Sequence, residues 1–319
     1  MTSTKNAHIL GIYYIMTDDT QSVPVSSTNG NGQVNGSLSS RAMLSNVSIS
    51  VWTARKFDKG LSENTDTSTG AEEGTCRVTK GLCPKDKIEP VNKAAARVRK
   101  EHYKYTLPWM DDGPRILPSE VYFDYTRAIQ KERLKFEQAV DSFCNLYPLL
   151  KAEAPVRMQG SYRLEDWPVD IHSKFRCKPT LLPIPDHQSD DWRVSLPDEE
   201  MKDLRDQFRQ EGQEVLAAAQ QEVWRRMLTV VKSYAETMSD KDKVFRDTKI
   251  ENIRAVCEIA PRLNVLGDPE LDRLVDGINQ ELVNVSPQAL RDSSSIRNDK
   301  ANKAEQIMKD IEAKMAGAF

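Results

Sequence analysis

The residues best suited to chemistry lie in one basic stretch, residues 77–104. It holds nine lysines and arginines against three acidic residues, although the whole chain has 45 basic and 48 acidic residues and a net charge of −3. Basic side chains contact phosphates and aromatic rings stack on bases, so this combination is typical of a groove for single-stranded nucleic acid. The candidate binding residues are Lys93, Arg97, Arg99, Lys100, Tyr103, Lys104 and Tyr105.

A plainer interpretation of the same stretch carries more weight. Basic runs are common on the solvated faces of helices, and the neighbouring aromatic residues, with Trp109 among them, then belong to the core. The slightly acidic chain as a whole also lacks the overall positive charge of many nucleic-acid-binding proteins.

Catalytic and metal-binding patterns are sparse. Asp111 and Asp112 offer two adjacent carboxylates for Mg²⁺, but the segment has no obvious third oxygen ligand. The sequence contains no glycine-rich nucleotide-binding loop and no zinc-protease or serine-hydrolase motif. We therefore predict a protein that is not an enzyme and needs no metal or cofactor. The four histidines are far apart in sequence: His8, His102, His172 and His187.

The five cysteines are odd in number and widely scattered, which does not indicate a disulfide framework. Cys76 and Cys83 have no further cysteine or histidine at zinc-ligand spacing, so we interpret them as ordinary thiols. The apolar segment 7–16 is too short to span a bilayer and lacks the features of a signal peptide. These patterns predict a cytoplasmic protein without a membrane segment.

The composition predicts a mainly α fold with a small β component, built from long antiparallel helices and a short β-hairpin or small sheet. Residues 1–46 include a tract dominated by Ser, Thr, Asn and Gly and are predicted to be a disordered or weakly structured extension. A single α+β domain should follow at 47–300, and a charged helix should end the chain at 301–319.

Two long apolar patterns of helical spacing, at 119–153 and 197–238, predict the main core, in which these helices pack against each other. We expect a helix cap at Ser119, a helix from Pro90 to Tyr105, and shorter helices at 247–260, 269–283 and 286–293. Alternation predicts a strand from Val47. Residues 175–184 and 192–196 should form a hairpin whose first strand is an edge strand, because it contains prolines. Residues 60–75 and 107–118 are expected to be irregular.

Several segments together resemble an uncharacterised protein family that is carried by phages, plasmids and integrating elements, the domain of unknown function 3150. The resemblance covers about residues 44–300. The segments are SISVWTARKFDK (48–59), LPWMDDGPRILP (107–118), SEVYFDY (119–125), LPIPD (182–186), VFRDTKIENIRAV (244–256) and PRLNVLGDPEL (261–271).

This resemblance implies an accessory or adaptor role in a bacterial host cell. Members of the family are associated with a MoxR-like AAA ATPase and a von Willebrand A-type protein, which are the partners it implies. The family supplies no catalytic residues to carry over to this chain.

Two functions of different classes follow. The favoured one is a non-enzymatic helical adaptor that acts in a protein assembly, as a homo-oligomer or with other proteins. The alternative is a single-strand nucleic-acid-binding protein of phage recombination or replication, which rests on the basic stretch. A metal-dependent enzyme using Asp111 and Asp112 ranks well below both.

Overall fold

The computed structural model describes residues 38–109, 113–184, 198–240 and 245–317, and all of them belong to one compact unit. As predicted, the fold is mainly α with a small β component. The helices are α1 (Leu38–Arg41), α2 (Lys59–Thr69), α3 (Lys85–Tyr105), α4 (Tyr122–Met158), α5 (Asp198–Ser239), α6 (Thr248–Ile259), α7 (Pro269–Ile278), α8 (Pro287–Asp292) and α9 (Ser294–Gly317). The strands are β1 (Ala42–Ser50), β2 (Arg55–Phe57), β3 (Thr79–Gly81), β4 (Arg115–Pro118) and β5 (Arg176–Pro183).

β1 is the central strand of a three-stranded antiparallel sheet with the order β4-β1-β5. Ala42 pairs with Pro118 on one side, and Ser50 pairs with Arg176 on the other. β5 is at the edge of the sheet among the described strands, as its prolines predicted, because a proline cannot donate to a ladder. The predicted partner strand at 192–196 lies outside the described residues.

Several element boundaries differ from the prediction. β1 starts at Ala42, inside the stretch 1–46 that was predicted to be an extension, because Met43 and Leu44 continue its pairing. Residues 60–75 were predicted to be irregular, but most of them form α2, whose N-terminus is capped by the side chain of Asp58. Ser119 does not cap α4; it begins a short 3₁₀ turn that precedes the helix.

α3 and β4 were also mispredicted. α3 begins at Lys85, so Pro90 lies in its second turn and does not start the helix. β4 lies in the segment 107–118, which was predicted to be irregular, and Ile116 also pairs with Leu107. Proline-rich composition indicated a loop here, but β1 provides the partner that makes a strand of it.

The pairing of the long helices is the main correction. α4 packs along α3, whereas α5 packs along α9 and α6, so the predicted packing of α4 against α5 as the main core is wrong. Ala94 and Ala95 are buried in α3, and their small side chains are suited to a close approach to α4. Ala301, Ala304 and Ile311 of α9 are likewise buried, so this helix is part of the core that contains α5.

Two groups of polar residues connect distant segments inside the fold. Lys80 Nζ contacts Asp58 Oδ2 at 3.0 Å and Asp166 Oδ2 at 2.8 Å, and it donates to the carbonyl oxygen of Ser161 at 2.9 Å. In the sheet region, the Tyr125 hydroxyl lies 2.6 Å from Ser45 Oγ and 3.1 Å from His102 Nδ1. These contacts connect β3 to the 161–166 segment and α3 to α4 and β1.

Candidate binding cleft

A cleft of about 760 Å³ lies between the C-terminal part of α3 and the helices α5 and α6. We call it the basic cleft. It is lined by Lys100, Glu101, Tyr103, Lys104, Glu222, Arg225, Arg226, Thr229, Val230, Ser233, Lys249, Asn252, Ala255, Val256 and Ile259.

Five cations and two carboxylates line the basic cleft. Lys100 and Lys104 are exposed on α3, and Lys104 Nζ lies 4.9 Å from the centroid of the Tyr105 ring. Lys100 has no ion pair or hydrogen bond with any part of the chain that the structure describes. Lys249 Nζ donates to Ser233 Oγ at 2.7 Å. Cations therefore exceed carboxylates along this surface.

Arg226 fixes the end of α3 against α5 and so shapes the basic cleft. Its guanidinium donates to the carbonyl oxygens of Lys104 at 3.0 Å and Thr106 at 2.7 Å, which are at the C-terminus of α3. Burial opposes the charged form of Glu222, but hydrogen bonds from Arg226 and Arg225 lower its pKa below the ordinary value. These arginines thus pair with Glu222.

An apolar surface separates the charged groups. Val230 on α5 and Val256 on α6 are half-buried, Ile259 is buried and Ala255 is exposed. On α6 the lining positions recur every three or four residues, which places them on one face of the helix. The apolar and charged groups together make the basic cleft a surface for an amphipathic ligand.

Only three of the seven predicted binding residues line this cleft: Lys100, Tyr103 and Lys104. Lys93 pairs with Glu89 within α3, and Arg97 pairs with Glu132 on α4.

Arg99 and Tyr105 also lie outside the basic cleft. Arg99 acts instead on Cys177 in β5. Burial raises the pKa of the Cys177 thiol, and the positive charge of Arg99 partly opposes this increase. Tyr105 is half-buried and packs edge-on against Tyr125.

The sequence prediction missed the half of the site that α5 and α6 provide. Arg225 and Arg226 of α5, and Lys249, Asn252 and Val256 of α6, all lie outside the basic stretch on which that prediction was based. The signal in α6 is the spacing of Lys249, Asn252 and Val256, a polar-to-apolar stripe next to the buried Ile250 and Ile253 of the same helix.

A second cleft, of about 620 Å³, lies beside Trp52. Its charged side chains are mixed in sign: Arg55, Lys56, Lys174, Glu165, Asp166 and Asp170. Balanced charge of this kind selects no particular ligand, so the basic cleft is the stronger candidate.

Metal and thiol chemistry find little support in the described residues. No group of three or more potential ligands among them is arranged to hold a metal ion, and Asp111 and Asp112 fall outside the described ranges. All five cysteines are free thiols. Burial raises the pKa of Cys83 and of Cys257 to about 11, which disfavours the reactive thiolate at neutral pH.

No family model, curated protein or solved structure matches this chain. Within the described ranges, none of the helices combines the length and apolar character needed to cross a membrane.

Proposed function

We propose that this protein is a non-enzymatic accessory protein, an adaptor that binds a segment of a partner protein in the basic cleft. The observation that carries the proposal is the composition of this cleft, in which an apolar surface formed by Val230, Ala255 and Val256 is bordered by cations. Apolar centres with polar rims are the usual anatomy of protein interfaces.

The aromatic rings favour a protein ligand over a nucleic acid. A base needs an open ring face for stacking. Arg115 covers one face of Tyr103, with its guanidinium carbon 4.6 Å from the ring centroid, and Tyr105 packs on Tyr125. The stacking surface that the sequence suggested is thus reduced to one face of Tyr103.

Single-strand nucleic-acid binding is the second candidate function, and one observation favours it. Lys100, Lys104 and the 53% exposed Tyr103 line the same cleft, so phosphates and a single stacked base have contacts there. Such binding would weaken steeply as salt rises, because phosphate contacts release counterions.

Site-specific photo-crosslinking tests the proposed function. A photoreactive amino acid replaces Asn252, which is exposed and lines the basic cleft, in the full chain inside the cells that produce it. We expect discrete protein crosslinks whose attached peptides are identified by mass spectrometry. The partners that the sequence resemblance implies, a MoxR-like AAA ATPase, a von Willebrand A-type protein or a second copy of this chain, are the first candidates to compare.

The control places the same photoreactive group at Gln138, an exposed position on α4. Crosslinked proteins found equally at both positions would contradict the proposal, because they would report chance encounters. Crosslinked nucleic acid at Asn252 would replace the adaptor with the second candidate function.

A further inference from the structure

We propose that the segment held in the basic cleft is a short acidic amphipathic helix of the partner protein. This inference rests on the proposed function and adds the chemistry and the conformation of the bound segment. It depends on the length of the cleft, on its helical walls and on its charge.

The length of α6, one wall of the cleft, suits a short helix. α6, which forms one wall, has 12 residues and is therefore about 18 Å long. An equally long α-helical segment has about three turns and presents apolar side chains at every third or fourth position. Its apolar stripe would cover Val230, Ala255 and Val256 along the cleft.

The walls favour a helix over an extended peptide. An extended strand gains affinity by pairing its backbone with a free sheet edge. Here the walls are α-helices, whose backbone donors and acceptors are already used within each helix. A bound helix satisfies its own backbone hydrogen bonds, so it can cover an apolar surface without leaving polar groups unpaired.

The charge selects an acidic segment. Lys100 and Lys104 lie on one side of the cleft, and Lys249 lies on α6 at the other side. Carboxylates on the rim of the bound helix would pair with these cations, whereas a basic helix would be repelled. Charge complementarity of this kind chiefly sets the rate of association and the choice of partner.

Fluorescence anisotropy with designed peptides tests the inference. The probe is a labelled helical peptide of about 12 residues, with leucines at helical spacing and glutamates at the remaining positions. The full-length protein should bind this peptide at least about tenfold more tightly than either of two controls. One control has lysines in place of the glutamates, and the other has the same composition in scrambled order.

Charge reversal identifies the surface. The double variant Lys100→Glu and Lys104→Glu should bind the acidic peptide at least about tenfold more weakly and gain affinity for the lysine peptide. Substitutions that merely damaged the fold would not increase the affinity for the lysine peptide. The matched control is Lys93→Glu, because Lys93 lies on α3 outside the cleft and should leave both affinities unchanged.

The outcomes separate this inference from the proposed function. Equal binding of the acidic, basic and scrambled peptides, or displacement of the acidic peptide by an unlabelled single-stranded oligonucleotide, would overturn the acidic helix. If the peptides fail while crosslinking at Asn252 still captures a partner protein, the inference is wrong and the adaptor function stands. Failure of both experiments would overturn both.

Discussion

At the scale of single residues, Lys80 shows how the fold accommodates a charge on a largely enclosed side chain. Its side chain is 9% exposed, and its ammonium group is surrounded by three oxygen acceptors, from Asp58, Asp166 and Ser161. A hydrogen bond from Lys80 is the largest influence that lowers the pKa of Asp58 below 3.8. A charge that is paired in this way is costly to remove on one side only.

Lys80→Met should therefore destabilise the protein by about 3 kcal/mol, because it leaves two carboxylates without their cation. Chemical denaturation at neutral pH measures the loss. Lys59→Met is the matched control, since Lys59 is 79% exposed in its pair with Glu63 and should contribute less than about 1 kcal/mol. The stabilisation of Asp58 is present above pH 3.8 and is lost as the pH falls through its lower folded pKa. The free energies of unfolding of the wild type and of Lys80→Met should therefore become more similar in acid. Equal effects of both substitutions at neutral pH would contradict the structure.

His102 makes a stability prediction of the same sign at a higher pH. Burial, followed by the charge of Arg115, lowers the pKa of His102 from 6.5 to about 4. The unfolded chain therefore takes up a proton between pH 6.5 and pH 4 while the folded chain does not. Stability is lost as the pH falls through this window, by about 3 kcal/mol for this group.

The variant His102→Gln tests this contribution, because glutamine does not titrate and can still bond to Tyr125. Between pH 6.5 and pH 4, the free energy of unfolding of the wild type should fall more steeply than that of the variant, as urea denaturation measures. Parallel pH profiles would show that His102 is not buried in its neutral form.

At the scale of elements, each long helix is stabilised by a neighbour that its sequence pattern does not specify. An apolar stripe determines which face of a helix is buried, but it is compatible with any partner that offers a similar stripe. α4 and α5 have stripes of this kind, yet α4 packs on α3 and α5 packs on α9 and α6. α9, predicted from its charge pattern as a separate C-terminal helix, therefore belongs to the core.

Two isoleucines on α9 test this packing. Ile311 is 0% exposed and Ile296 is 37% exposed. Ile311→Ala should destabilise the protein by about 2–4 kcal/mol, because it leaves a cavity in the core that contains α5. Ile296→Ala removes the same atoms from a more exposed position and should cost about 1 kcal/mol or less. Thermal or chemical denaturation compares the two, and equal losses would contradict the burial of α9.

At the scale of the whole molecule, β1 is the element on which the sheet depends. It pairs with both other strands of the three-stranded sheet, and its buried Ser45 contacts Tyr125 of α4. The first half of β1 lies within residues 42–46, which the composition had assigned to the extension.

Two truncated chains test whether residues 42–46 belong to the sheet or to the extension. A chain that starts at residue 38 should unfold at nearly the same temperature as the full chain, because it retains every described element. A chain that starts at residue 47 should lose most of its folded population, because it lacks the pairing of residues 42–45 with β4. Circular dichroism with thermal melting measures both, and an unchanged melt for the shorter chain would refute the central role of β1.

The sequence by itself determined the fold class and many of the helices. Apolar spacing over 197–238 predicted α5 (Asp198–Ser239) almost to its ends, and the prolines of β5 predicted an edge strand. Composition was less reliable where it indicated loops: α2 and β4 both formed in such segments, because a capping aspartate and a neighbouring strand outweigh weak local propensity.

The tertiary structure alone decided the helix partners and the basic cleft. The basic stretch predicted Lys100, Tyr103 and Lys104, but the other half of the cleft comes from residues more than 100 positions further along the chain, such as Arg226 and Val256. Local sequence specifies which faces of a helix are apolar or charged. Which faces meet depends on the packing of the whole chain, because many stripes are compatible with one another and only their joint arrangement fills the core.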